Sequence, residues 1–241
     1  METVVLMAKA PVAGRVKTRL SPPLSSEEAS SLYEGMLWDT AACLASPPGI
    51  RCRVFFSPRE SAPYFGREPF DVFRADRQQG ADLGERMSHA IGAAFAEGAR
   101  RVAVVGADCP ALSPRRIRQA FRELRDGAEA VFGPTSDGGF YLAGFVSDPG
   151  EIFGKGVAWS TGSVLSTVTE RCRKRGMAWS LLAEERDIDT MDDLAWLRDQ
   201  VAGGRSPRCP ETRRRISGIF SGFGRPEDFR IAGSAGRTSG R

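Results

Sequence analysis

The chain has 241 residues, 41% of them apolar and 27% charged, and a formal charge of +4 that is not evenly spread: residues 203–241 carry nine arginines against three acids, a net +6, which leaves residues 1–202 near −2. A slightly acidic body argues against a broad basic face for nucleic acid. The longest early apolar run, residues 3–8, is too short for a membrane span or a secretory core, so the expected location is the cytoplasm, without membrane contact. Five dispersed cysteines without a C-x-x-C pair and a single histidine, His89, exclude a two-His metal site and disfavour a disulfide framework, a zinc knuckle and a serine triad. Carboxylates and cations are left for the chemistry.

In chain order, residues 3–8 read as a buried strand ended by Lys9, Pro11 and Gly14. A helix follows, capped by Ser25 or Ser26, with Glu27 and Glu28 in its first turn and apolar residues at near-helical spacing up to Pro47. Residues 51–57 form a second strand and 71–75 a short third. Residues 82–95 carry the stripe of an amphipathic helix at Leu83, Met87, Ile91, Ala94 and Phe95. Residues 102–106 are the clearest buried strand. Ser113-Pro114 opens a helix through Leu124. Strands at 130–132 and 140–145, a helix over 162–175, a strand at 177–182 and a helix at 191–201 complete the body. The alternation predicts one α/β domain over residues 1–202, with a mostly parallel sheet between helix layers. Residues 203–241, rich in Gly, Ser and Arg, are expected to be a flexible tail whose removal leaves catalysis intact.

In such sheets ligands sit beyond the carboxyl ends of the strands. The first loop offers Ala8, Lys9, Gly14, Arg15, Lys17 and Arg19, four cations within eleven residues. That density suits a polyphosphate: Gly14 admits backbone N–H groups to phosphate oxygens, and the cations neutralise charge and stabilise a leaving pyrophosphate. The Gly-Lys adjacency of a Walker loop is absent. Asp108, just after the strand at 102–106, is placed to hold Mg²⁺ or Mn²⁺, although an aspartate there also suits a turn. The stretch from Asp187 to Asp193 supplies a partner carboxylate, or else Asp189 or Thr190 caps the closing helix.

Asp137, beside Gly138 and Gly139, is positioned to orient an acceptor hydroxyl or take its proton; a tight turn between strands predicts the same glycines. Gln79 and Asp82 are candidates for reading a nucleobase, with helix capping the alternative for Asp82. Trp159, Ser160 and Thr161 fit either an acceptor wall or a helix cap. His89, among apolar neighbours on a helix, reads as structural.

Taken in order, Ala8-Lys9-Ala10-Pro11, Lys17-Thr18-Arg19-Leu20, Gly106-Ala107-Asp108-Cys109-Pro110, Ser136-Asp137-Gly138-Gly139 and Asp187-Ile188-Asp189-Thr190 resemble the DUF2064 proteins. These are glycosyltransferase-like relatives of the phospholactate guanylyltransferases in the nucleotide-diphospho-sugar transferase superfamily. The resemblance implies a GT-A-type, Rossmann-like three-layer sandwich, with the first loop on the nucleotide phosphates, Asp108 on the metal and Asp189 as the second metal carboxylate. Met191 stands where relatives often have Pro. Two reactions follow from it: nucleotidyl transfer from a nucleoside triphosphate to a small phosphorylated or hydroxyl acceptor, or glycosyl transfer from an NDP-sugar. Four cations match a triphosphate better than a diphosphate, and Asp137 beside two glycines suits glycosyl transfer. A nucleotide-binding module without turnover is the third reading, separated from both by its indifference to metal.

Overall fold

The computed structural model describes residues 1–202 and 209–222. These form one seven-stranded sheet and six α-helices. The strands are β1 (Glu2–Lys9), β2 (Ile50–Ser57), β3 (Arg74–Arg77), β4 (Arg101–Val105), β5 (Ala130–Pro134), β6 (Phe140–Phe145) and β7 (Trp179–Leu181). Their order is β3-β2-β1-β4-β6-β5-β7. All are parallel except β6, which runs antiparallel to both β4 and β5. The exception has a local cause. Residues 135–139 join β5 to β6 with no helix between, so the chain turns back as a hairpin, whereas a parallel step needs a crossover.

Side chains alternate across β1, so Val4 and Leu6 face one helix layer and Val5 the other. Helices α1 (Ser26–Ala45) and α3 (Pro114–Arg125) cover the first face through Tyr33, Leu37, Ile117 and Phe121. Helices α2 (Leu83–Ala96) and α4 (Val164–Lys174) cover the second through Met87, Ile91 and Val168. This is the three-layer α/β sandwich that the alternation predicts. Ser25 caps α1 in a reciprocal box with Glu28, and Ser113 caps α3. The third strand lies at 74–77 rather than 71–75: Val72 is exposed, and the mostly exposed Arg-Ala-Asp-Arg run pairs only as a charged edge.

The tail expectation is corrected over part of its length. Residues Pro210–Gly222 form helix α6, packed on α1, while 203–208 and 223–241 lie outside the described residues. Cys209, Thr212, Ile216 and Ile219 recur at spacings of three, four and three and are all buried, an amphipathic stripe hidden in the sequence by arginines on the other face. The Asp39 carboxylate of α1 accepts from the Glu211 and Thr212 backbone N–H groups at 3.1 and 2.7 Å and so caps α6 from a neighbouring helix. Arg215 pairs with Glu34 at 3.1 Å and lies over the Trp38 ring. Gly35 permits this approach, since a Cβ there would stand 2.7 Å from Arg215 Cδ. A third apolar cluster results, in which Ile216 and Ile219 join Leu20, Leu24, Met36, Leu194 and, between two aspartates, Ile188. Leu194 and Leu197 come from α5 (Met191–Ala202).

Candidate active site

A cleft of about 580 Å³ opens over the carboxyl ends of β1 and β4 and the β5–β6 hairpin. Of the residues singled out from sequence, Ala8, Lys9, Arg15, Lys17, Arg19, Asp108, Asp137, Gly139, Trp159, Ser160, Thr161 and Asp189 line it. Gly14, Gln79, Asp82 and Gly138 do not. Gly14 (φ 74°) makes the left-handed turn of the first loop, and Gly138 (φ 86°) makes that of the hairpin, where a Cβ would meet the Gly162 backbone. Asp82 is spent on the cap of α2, accepting from Glu85 N–H at 2.8 Å. Gln78 lines the cleft where Gln79 was expected. Its Nε2 donates to the carbonyls of Ala8 (3.0 Å) and Phe55 (2.9 Å). Both partners are acceptors, which fixes the amide and leaves Oε1 as the free end.

The first-loop cations fall into two classes. Lys17, in left-handed backbone (φ 48°) with its side chain only 4% exposed, sets Nζ 2.5 Å from Asp108 Oδ1 and 3.6 Å from Asp189 Oδ1. Burial alone would pull its ammonium down, but Asp108, with Asp189 and Asp187, outweighs it and holds Lys17 above its ordinary value. Arg19 binds the other Asp189 oxygen, Oδ2, at 2.6 Å. Lys9 and Arg15, exposed on the same cleft, make no ion pair among the described residues. Two carboxylates thus converge above a buried cation, and two free cations stand ready for further negative charge.

The cap at 187–193 is made by side chains other than that of Asp189. Thr190 and Asp193 cap α5 reciprocally: Asp193 Oδ2 accepts from Thr190 N–H at 2.9 Å and from its hydroxyl at 2.6 Å, and Thr190 Oγ1 accepts from Asp193 N–H at 3.3 Å. The Asp189 side chain is not part of that cap and lines the cleft, paired with Arg19 and Lys17. Asp187 also lines it, and burial with the Asp137, Asp193 and Asp108 carboxylates pushes it up to about 6. Asp137 Oδ1 accepts from the Thr135 hydroxyl (2.6 Å) and Gly139 N–H (2.9 Å), so turn geometry and cleft placement coincide in one residue. Tyr33 and Arg86, not selected from sequence, line the cleft as well. The Tyr33 hydroxyl accepts from Lys9 N–H at 3.1 Å and so ties the first loop to α1.

Among the described residues no group of three or more His, Cys, Asp or Glu side chains is close enough to hold a metal unaided. Asp108 and Asp189 nevertheless both approach one ammonium, and this pair of hard oxygen donors suits an ion such as Mg²⁺, which binds through one or two carboxylates and completes its shell with phosphate and water. The donor set fits a substrate-completed metal site.

The fold is of the nucleotide-diphospho-sugar transferase type, and the cleft lies beyond the strand ends, where such sheets bind ligands. The chain belongs to the DUF2064 family, described as an uncharacterized protein conserved in bacteria, whose model matches residues 40–161. A crystal structure from Desulfovibrio desulfuricans G20, provisionally named a nucleotide-diphospho-sugar transferase, is similar at a TM-score of 0.83 and 27% identity over 96% of this chain and 98% of that one. A CMP:2-keto-3-deoxy-manno-octonic acid synthetase complexed with CTP shares the fold at a TM-score of 0.53 and 13% identity, over 85% of this chain and 100% of its own. A cytidylyltransferase from Leptospira borgpetersenii does so at 0.52 and 12%, over the whole of both chains. No curated protein sequence matches the chain. No helix among the described residues is long and apolar enough to cross a membrane.

Proposed function

We propose that the protein is a divalent-metal-dependent nucleotidyltransferase that moves a nucleotidyl group from a nucleoside triphosphate to a small phosphorylated or hydroxyl acceptor. The observation that carries this is the convergence of Asp108 and Asp189 on Lys17 beside the unpaired Lys9 and Arg15. Asp108 and Asp189 would hold Mg²⁺ or Mn²⁺, which when bound supplies charge neutralisation to the phosphates. Lys9 and Arg15 bind the outer phosphates, and Lys17, fixed by burial, keeps the two carboxylates together and adds positive charge at the leaving group. An acceptor oxygen attacks the α-phosphorus, the bond to the bridging oxygen breaks, and pyrophosphate departs. The acceptor proton passes to Asp137 Oδ2, the carboxylate oxygen its own turn does not use, when the acceptor is a hydroxyl.

The same free oxygen favours glycosyl transfer as the second reading, with attack on an anomeric carbon and an NDP leaving. Likeness in fold to CTP-binding and cytidylyl-transferring structures supports the first reading.

The test is incubation with Mg²⁺, each nucleoside triphosphate or NDP-sugar and a metabolite pool, read by mass spectrometry. Pyrophosphate release is expected; free NDP with a glycosylated product would favour the second reading. Asp108→Ala should abolish turnover and metal-dependent nucleotide binding, and survival of both would remove the metal assignment.

A further inference from the structure

The cleft is divided by polarity. Its first-loop cations follow β1, and of its carboxylate pair Asp108 follows β4 while Asp189 comes from the segment before α5, whereas beyond β4 it is walled by Phe140 and Trp159, with Leu83 of α2 beside them. Leu83 is 45% exposed, and among the large apolar side chains exposed to this degree it is the one that lines the cleft. The wall is built rather than incidental. Gly84 brings α2 against it, since a Cβ there would stand 2.7 Å from Trp159 Cζ2 and meet the Phe153 carbonyl. Phe140 meets Trp159 at 6.5 Å with rings nearly perpendicular. The loop that delivers Trp159 is held by one guanidinium: Arg171 donates to the carbonyls of Glu151, Ile152, Gly154 and Lys155. Ser160, the next residue, keeps a left-handed backbone at φ 63°. Beside this wall Arg86 donates through Nε to Gly80 O at 3.0 Å and pairs with no acid among the described residues, which leaves its terminal nitrogens for a ligand.

We propose that this half of the cleft is a subsite for an amphipathic acceptor, whose apolar body lies against Leu83, Phe140 and Trp159 and whose anionic group is held by Arg86. The inference rests on the transferase reading for the word acceptor alone. These three side chains offer almost no hydrogen bonds, so the wall itself favours an apolar body over a polyhydroxylated one.

Two probes share a phosphate and differ in body: phenyl phosphate and glycerol 3-phosphate. Calorimetric titration of the full chain should show tighter binding of phenyl phosphate, by about tenfold or more, equivalent to ~1.4 kcal/mol. Leu83→Ser, a change at an exposed position, should abolish that preference and leave Mg²⁺-nucleoside triphosphate binding intact. Arg86→Met should weaken both phosphates alike. Equal binding of the two probes by the native chain would overturn the proposal, as would a Leu83→Ser variant that loses nucleotide binding instead, because the wall would then belong to the nucleotide. An Arg86→Met variant that binds both probes normally would overturn the anion assignment. Native chain that binds no nucleoside triphosphate would count against the transferase reading, while the two-probe comparison still decides the subsite.

Discussion

At the scale of single residues, the site's demands show as local departures from ordinary backbone and packing. Lys17 and Ser160 are the two non-glycine residues with left-handed backbone among those described, and both line the cleft. Each such residue costs on the order of 1–3 kcal/mol, sustained by surroundings that leave no alternative. Gly138 bears the complementary constraint: at φ 86° and pressed on the Gly162 backbone, it joins the hairpin that carries Asp137 to the segment that carries Thr161. Gly138→Ala should cost about 1–3 kcal/mol in denaturant unfolding. It should also impair turnover while sparing triphosphate binding, and an unchanged midpoint would show that the contact is not constraining. The cysteines give a second prediction at this scale. Burial pushes the Cys43 thiol up to about 12 and those of Cys52 and Cys172 up to about 11, and holds Cys109 well above its ordinary value. The reactive species is the thiolate, so these four should be alkylated by iodoacetamide within minutes at about pH 8 only after unfolding. Rapid modification of the native chain at any of these four, read by peptide mass spectrometry, would contradict it.

At the scale of elements, helix α6 changes what the carboxyl-terminal region does. Ile216 and Ile219 complete the cluster that contains Leu20, next in chain to Arg19, and Ile188, between Asp187 and Asp189. The phosphate loop and the carboxylate segment therefore share a floor with α6. Ile216→Ala should destabilise by about 2–5 kcal/mol through the cavity it leaves, and Asp39→Ala by about 1 kcal/mol through loss of the α6 cap. Both should raise amide hydrogen exchange at residues 17–24 and 187–190 before the strands β1 and β4 respond, and uniform protection would separate α6 from the site. Deletion of residues 203–241 should accordingly impair turnover, contrary to the expectation drawn from composition. What was legible in sequence follows the same logic. Elements with a clean apolar period, such as α2 and β4, lie within a residue or two of their predicted bounds. The α6 stripe was obscured by four charged residues in a Gly/Ser/Arg background. Asp108, Asp137 and Asp189 were readable as carboxylates placed after strands or next to a turn. Gln78 was not, because alternate residues at a strand end face opposite ways and β3 ends at Arg77, not at the expected position. Arg86 and Tyr33 sit one or more helical turns inside amphipathic helices, where sequence periodicity marks a face and does not show what that face meets.

At the scale of the whole molecule, placement of charge matters more than its sum. Part of the positive excess beyond residue 202 is already engaged in the fold, since Arg214 and Arg215 pair with Glu211 and Arg215 also with Glu34. The body is near −2, yet its cleft holds Lys9, Arg15, Lys17, Arg19 and Arg86. Attraction for a polyphosphate is therefore a property of this cleft and does not extend to a general surface field. Screening should separate its components. Raising salt from about 0.1 to about 1 M shortens the Debye length from ~10 to ~3 Å. That removes the pull of the exposed Lys9 and Arg15, whereas the contact between buried Lys17 and Asp108, made within hydrogen-bond distance, is screened far less. Triphosphate affinity should fall across that range while nucleoside affinity stays nearly flat, as titration calorimetry would show. A Lys9→Met/Arg15→Met double variant should bind triphosphate weakly at low salt and lose most of the salt slope without unfolding, since both side chains are exposed and unpaired. If the double variant keeps the native slope, the phosphates are held elsewhere, and the division of the first-loop cations into structural and phosphate-facing pairs fails with it.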